Sequence, residues 1–247
     1  MVEKIDMNRM NELSEFIVMD YLKKQGIGSD AIICIDIEGI TRDYFGFDVL
    51  FENIAEDDLG KTAFCANGAR PLTVIRNGKR QQVVFPDNTI VLDRYYQRKE
   101  NYASRRFVLG HEVGHKILGR VAPEHNRGNY NTIFDKERVY YFEDLLDIYH
   151  IGESQANQMS AALLMPVFLL KATLRRVMKA ERFPVYGDYQ MLPRDSQKLK
   201  QMADDLGVST NSLFIRLRNC KLISQRDIRE YAELILKQGG NAVVCDC

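Results

Sequence analysis

Apolar positions along the chain follow a helical period in most places and a strand period in few. From residue 8 to 25, Met10, Leu13, Phe16, Ile17, Met19, Tyr21 and Leu22 recur at mostly helical spacing, and Gly26 supplies the stop. Ala31–Ile37 is short, apolar and β-branched, which fits a strand or a buried segment. Ile40–Phe45 reads as a short helix, and Phe47–Phe51 as a strand. Thr73-Val74-Ile75 and Val83-Val84-Phe85 flank Asn77-Gly78, the pairing of residues that tight hairpin turns demand. Thr89–Leu92 is one more strand.

Helical patterning then dominates. Ser104 opens a helix that Gly119 closes after Leu118. Residues 121–150 carry Asn, Gly and Tyr clusters and read as a long loop with one helical stretch at 142–149. Glu153–Met165 is a helix closed by Pro166, and 167–182 is helical again. Phe183–Pro193 holds two Pro and one Gly and reads as a linker. Helical patterns follow at 195–206, 210–219 and 224–237, ahead of a Gly239-Gly240 tail. The expected class is α+β, mainly helical with a small sheet. The expected division is a domain over 1–185, a helical subdomain over 186–238 and a tail over 239–247.

Composition narrows the function classes. The chain has 247 residues, 45% hydrophobic and 28% charged, enough apolar surface to offset chain entropy. Its longest nearly apolar run, Ala161–Leu170, is interrupted by Pro166 and spans about 15 Å as helix, half of a bilayer core. The charged N-terminus lacks an apolar signal core. No membrane association and a cytoplasmic location are therefore expected. Five cysteines, at 34, 65, 220, 245 and 247, form no C-x-x-C pair and read mainly as reduced thiols. Net charge is zero but unevenly spread: residues 30–60 hold nine acids against Arg42 alone.

The sharpest chemical signal is His111-Glu112-Val113-Gly114-His115. Two histidines four positions apart on a helix share one face, so both imidazoles can reach one cation. The intervening glutamate can take a proton from water activated by that cation. Phe107, Val108, Ile117 and Leu118 flank the motif with the apolar spacing of an amphipathic helix. A catalytic zinc needs a third protein ligand and an open position. His125, His150, Glu124, Asp135, Glu137, Glu143, Asp144, Asp147 and Glu153 are the nearest downstream donors, and spacing alone does not select among them. Glu153 is mechanically the best placed, at the start of an apolar helix that can pack on the first. Asn157 lies one turn further on the same face, where it can orient Glu153 or a liganding histidine.

The run Arg106-Phe107-x-x-x-His111-Glu112-x-x-His115, followed by Glu153-x-x-Ala156-Asn157-x-x-x-Ala161-x-Leu163-Leu164-Met165-Pro166, resembles the ImmA/IrrE-type metallopeptidases. The resemblance implies a zincin-like core, with Glu153 as third zinc ligand and Glu112 as catalytic base. Zn²⁺ is the expected ion, with Mn²⁺ as the alternative. It also implies a zinc-dependent, site-specific endopeptidase. The expected substrate is a cytoplasmic helix-turn-helix repressor, whose cleavage derepresses genes of a mobile element or a stress response. Leu199, Ala203, Leu206-Gly207-Val208-Ser209, Arg216-Leu217 and Leu222 match the family's C-terminal helix-turn-helix-like stretch. Two departures stand out: a longer interval between His115 and Glu153, and Met159-Ser160 where an aromatic-Ala pair is usual.

Arg216, Arg218 and Lys221 follow the Leu206–Thr210 turn, and DNA contact through the second helix is one reading. A packed helical subdomain that docks protein is favoured over it, because the surrounding basicity is moderate. The competing function for the whole chain is a DNA- or protein-binding regulator with a non-catalytic metal site. For a second oxyanion donor, Tyr130, Tyr140, Tyr141, Tyr149, His125 and His150 stay open.

Overall fold

The computed structural model describes residues 5–57, 61–121 and 142–239, with the side chains of 121, 142–151 and 237–239 excepted. The chain divides into two compact units, Met1–Pro166 and Val167–Cys247. The segment 167–182 therefore belongs with the second unit, not with the 1–185 stretch to which its sequence assigns it. The architecture is α+β, helices with small sheets. Among the described residues, no helix is long and apolar enough to cross a membrane.

In the first unit, helix α1 (Met7–Lys24) starts at Asp6, whose carboxylate accepts from the Asn8 and Arg9 amides at 2.7 and 3.0 Å. It buries Met10, Ile17, Val18, Tyr21 and Leu22. Phe16 and Met19 fall on its outer side. Ala31–Ile37 forms no strand; it is a looped segment that buries Ile35 and Ile37 and leads into the short helix α2 (Ile37–Gly39) and a π-turn at Ile40–Tyr44. The buried Arg106 guanidinium donates to the Ile35 carbonyl at 2.7 Å, which satisfies both polar groups inside the core.

Strands β1 (Asp48–Glu52), β2 (Ala63–Cys65) and β5 (Thr89–Asp93) make one sheet in the order β1-β5-β2, parallel on one side of β5 and antiparallel on the other. The central β5 buries Ile90, Val91 and Leu92 in succession, as a strand covered on both faces must. β3 (Pro71–Arg76) and β4 (Lys79–Val84) form the hairpin that Asn77-Gly78 announces. Both turn residues have positive φ, 53° and 73°, the geometry of a type I′ turn. Phe64, Ala66, Leu72, Val74, Phe85 and Val91 form one apolar cluster. Strand β2 escapes sequence reading because three residues carry too little alternation to register.

Helix α3 (Tyr102–Val121) runs through Gly119 rather than stopping there. It buries Leu109, Val113, Ile117 and Leu118 and packs against β2, β5 and the helix that follows it. Helix α4 (Phe142–Leu164) begins well before Glu153, so the helical stretch expected near 142–149 and the helix expected at 153–165 are one element. Gly152 does not break it, because packing against α1 and α3 outweighs one glycine's propensity. The remainder of the expected loop, 122–141, lies outside the described residues.

The second unit holds α5 (Val167–Thr173) and a π-turn (Leu174–Met178) that ends at Lys179, where φ is +57°. The expected linker is instead strand β6 (Phe183–Tyr186), with Phe183, Val185 and Tyr186 buried. It pairs in parallel with β7 (Ile223–Arg226), which shortens the helix expected at 224–237 to α8 (Ile228–Gly239). Two Pro and a Gly suggest a linker from composition, but the apolar side chains between them find a buried seat. Between the strands, α6 (Pro193–Leu206) and α7 (Thr210–Asn219) are joined by Gly207, at φ +64°, Val208 and the N-cap Ser209. Arg216 is 1% exposed, and Lys221 lies beyond the end of α7. Of the three bases considered for DNA contact, Arg218 alone is exposed on that helix.

Candidate metal centre

The α-helical period of α3 places His111 and His115 one turn apart, and their rings meet edge to face with centroids 4.5 Å apart. Their Nε2 atoms lie 2.9 Å from each other. Helix α4 brings Glu153 over the same point: Oε2 is 3.2 Å from His111 Nε2, and Oε1 is 3.3 Å from His115 Nε2. These three side chains form the one group among the described residues whose donor atoms could hold a metal ion, all within 4.8 Å of one another.

The donor set fits a small divalent cation. Tetrahedral zinc, with bonds of about 2.0–2.2 Å, sets neighbouring ligand atoms about 3.3 Å apart. The two nitrogen–carboxylate separations, 3.2 and 3.3 Å, match that spacing, and the nitrogen–nitrogen separation of 2.9 Å falls somewhat short of it. The donors are two nitrogens and one carboxylate, suited to a borderline cation. The histidine side chains are 16% and 14% exposed and that of Glu153 is 29% exposed, so the cluster is largely sheltered but not sealed from solvent.

Asn157 holds the first imidazole in place. Its Oδ1 lies 2.9 Å from His111 Nδ1; in the neutral ring that metal binding requires, Nδ1 donates to this amide oxygen and Nε2 faces the cluster with its lone pair. Two glycines of α3 let the helices approach closely enough for these contacts. A Cβ at Gly114 would stand 3.1 Å from the Ala156 carbonyl oxygen and 3.3 Å from Met159 Cβ; one at Gly110 would stand 2.6 Å from Ser160 Oγ. Sequence reading passes over this pair, although glycines four apart on the histidine-bearing helix are a legible signal of close helix packing.

The charges are strongly coupled. Burial works to raise the Glu153 pKa, but hydrogen bonds from His111 and His115 outweigh it and hold the carboxyl at about 2. Burial works to lower the His111 pKa, yet its bond to Glu153 and the charges of Glu112 and Glu153 leave it raised. Glu112 is buried, and burial pushes its carboxyl up against the opposing pull of the two imidazoles. Lys116, one residue past His115, donates to the Ala66 and Asp87 carbonyls at 2.9 and 2.8 Å and ties α3 to the strand side of the unit. The Cys65 thiol points at the Glu112 carbonyl oxygen, 3.9 Å away, and burial pushes its pKa up to about 12, which makes it an inert neighbour.

The structure thus brings together His111, His115, Glu153 and Asn157, with Glu112 on the same helix turn. Glu153 stands well inside α4, not at the start of a helix as its sequence context suggests. The other donor and oxyanion candidates between 124 and 150, and the Cys245 and Cys247 tail, lie outside the described residues or side chains. No family model matches the chain, and no curated protein does.

Proposed function

We propose that this chain is a zincin-like metallopeptidase, an endopeptidase whose cation is held by His111, His115 and Glu153. One observation carries the reading: three ligand side chains from two helices converge at ligand spacing with a buried carboxyl, Glu112, beside them. When bound, the cation acidifies water and polarises the carbonyl to be cleaved. Glu112 takes the proton of the attacking water and returns it to the leaving amine. Its raised proton affinity, which burial supplies, suits a group that must both accept and give. Asn157 keeps His111 in the tautomer whose Nε2 can bind. Glu153 supplies one negative charge against the cation's two. Two imidazoles and a carboxylate favour Zn²⁺, with Mn²⁺ the second choice.

The substrate class comes from the resemblance to ImmA/IrrE-type enzymes and is an analogy of motif. On that analogy the chain cleaves a helix-turn-helix transcriptional repressor in the cytoplasm. The α6–α7 pair is read as a protein-docking subdomain, a reading that the burial of Arg216 supports. The test is incubation of the zinc-loaded chain with candidate repressors, followed by mass analysis of fragments. Discrete fragments are expected from the wild type. Glu112→Gln should bind zinc as the wild type does while cleavage falls at least about a hundredfold, the scale of a lost general base. Wild-type cleavage by that variant would overturn the role of Glu112.

A further inference from the structure

Helix α4 grips the His111 turn at a second point that metal binding alone does not require. Ser160 shares a face of α4 with Glu153 and Asn157, at positions i+7, i and i+4. It is fully buried, and its Oγ donates to the Phe107 carbonyl oxygen at 2.7 Å. In an α-helix that carbonyl is also the acceptor for the His111 N–H, and a backbone carbonyl has two lone pairs to serve both. A serine inside a helix ordinarily bonds back to its own preceding turn. Ser160 reaches across to another helix instead, through the gap that Gly110 leaves: a Cβ at Gly110 would meet its Oγ at 2.6 Å. His111 is therefore held twice from α4, its ring by Asn157 Oδ1 and its backbone turn by Ser160 Oγ.

We propose that Ser160, seated over Gly110, is a positioning residue for the metal centre. It fixes the height and rotation of the His111 turn against the helix that carries Glu153. The inference rests on the metal-binding reading above and adds to it a residue that touches neither cation nor substrate. An alanine at 160 fills nearly the same volume but leaves the two helices free to slide by the small distance that a ligand set feels.

The experiment measures Zn²⁺ affinity of the full chain by competition with a chromophoric chelator, and the visible spectrum of the Co²⁺-loaded chain. The wild type is expected to bind one equivalent; a wild type that binds none sinks the metal reading, and this inference with it. Ser160→Ala should weaken zinc affinity about fivefold, the worth of one neutral buried hydrogen bond, and shift the cobalt bands. The exchange Gly110→Ala with Ser160→Gly moves the methyl across the interface, keeps the volume and removes the hydroxyl. It should show the same weakened affinity and shifted bands. If the wild type binds zinc while both variants, folded, match its affinity and spectrum, Ser160 is a packing residue only and the proposal is overturned.

Discussion

At the scale of single residues, the proposed metal site sets protons against a cation. Its ligands bind a metal as neutral imidazoles and an ionised carboxylate. Glu153 stays ionised to about pH 2, so it is ready over the whole useful range. His111 is the opposite case, because its surroundings favour its charged form. Zinc affinity should therefore fall as pH is lowered, and the fall should begin at a higher pH than an unperturbed histidine would give. Without metal the signs reverse. The lowered Glu153 pKa contributes stability above its ordinary value near 4.5, lost as pH falls toward 2; the raised His111 pKa contributes stability below its ordinary 6.5, lost as pH rises through its folded value. Zinc titrations between pH 5 and 8, with His111→Gln as control, test this. An affinity flat across that range would contradict it.

Among secondary-structure elements, the α3–α4 contact decides the site. Gly114 lies between the two histidines and against Ala156 and Met159. Gly114→Ala should force a shift of a few tenths of an ångström and cost about 1–3 kcal/mol in urea unfolding, the usual penalty of overpacking. An unchanged midpoint would mean that the helices part freely. The same contact explains how much was legible from sequence. His111 and His115 announce themselves because one helical turn is enough to align them. Glu153 is singled out by its place on an apolar helix and by the motif resemblance rather than by spacing, because nothing in residue spacing says that a helix beginning at Phe142 crosses the first at that point. The hairpin at Asn77-Gly78 was legible because only certain residues tolerate two positive φ values in a row. Strands β6 and β7 were not, since four residues around Pro184 form a strand only when a distant partner is present. Gly119 looks like a helix stop, and tertiary packing carries the helix through it.

At the scale of the molecule, two units and the one candidate metal cluster among the described residues predict how the protein melts. All three ligands lie in Met1–Pro166. Zinc at about a hundred times its dissociation constant adds about 2.7 kcal/mol to whatever unfolds with the site. That corresponds to a rise of about 5–10 °C in Tm for a unit of this size. Calorimetry with and without chelator should show the shift in the transition of the first unit and leave that of the second in place. Equal movement of both would show that they unfold as one. The pairing of β6 with β7 also governs how the chain can be dissected. Phe183–Tyr186 and Ile223–Arg226 clasp the ends of a stretch containing α6 and α7. A clone starting at residue 186, where composition invites the cut, would leave Ile223 to Gln225 without their strand and should give poorly dispersed amide spectra, whereas one starting at Val167 retains the clasp and should yield a dispersed, soluble fragment.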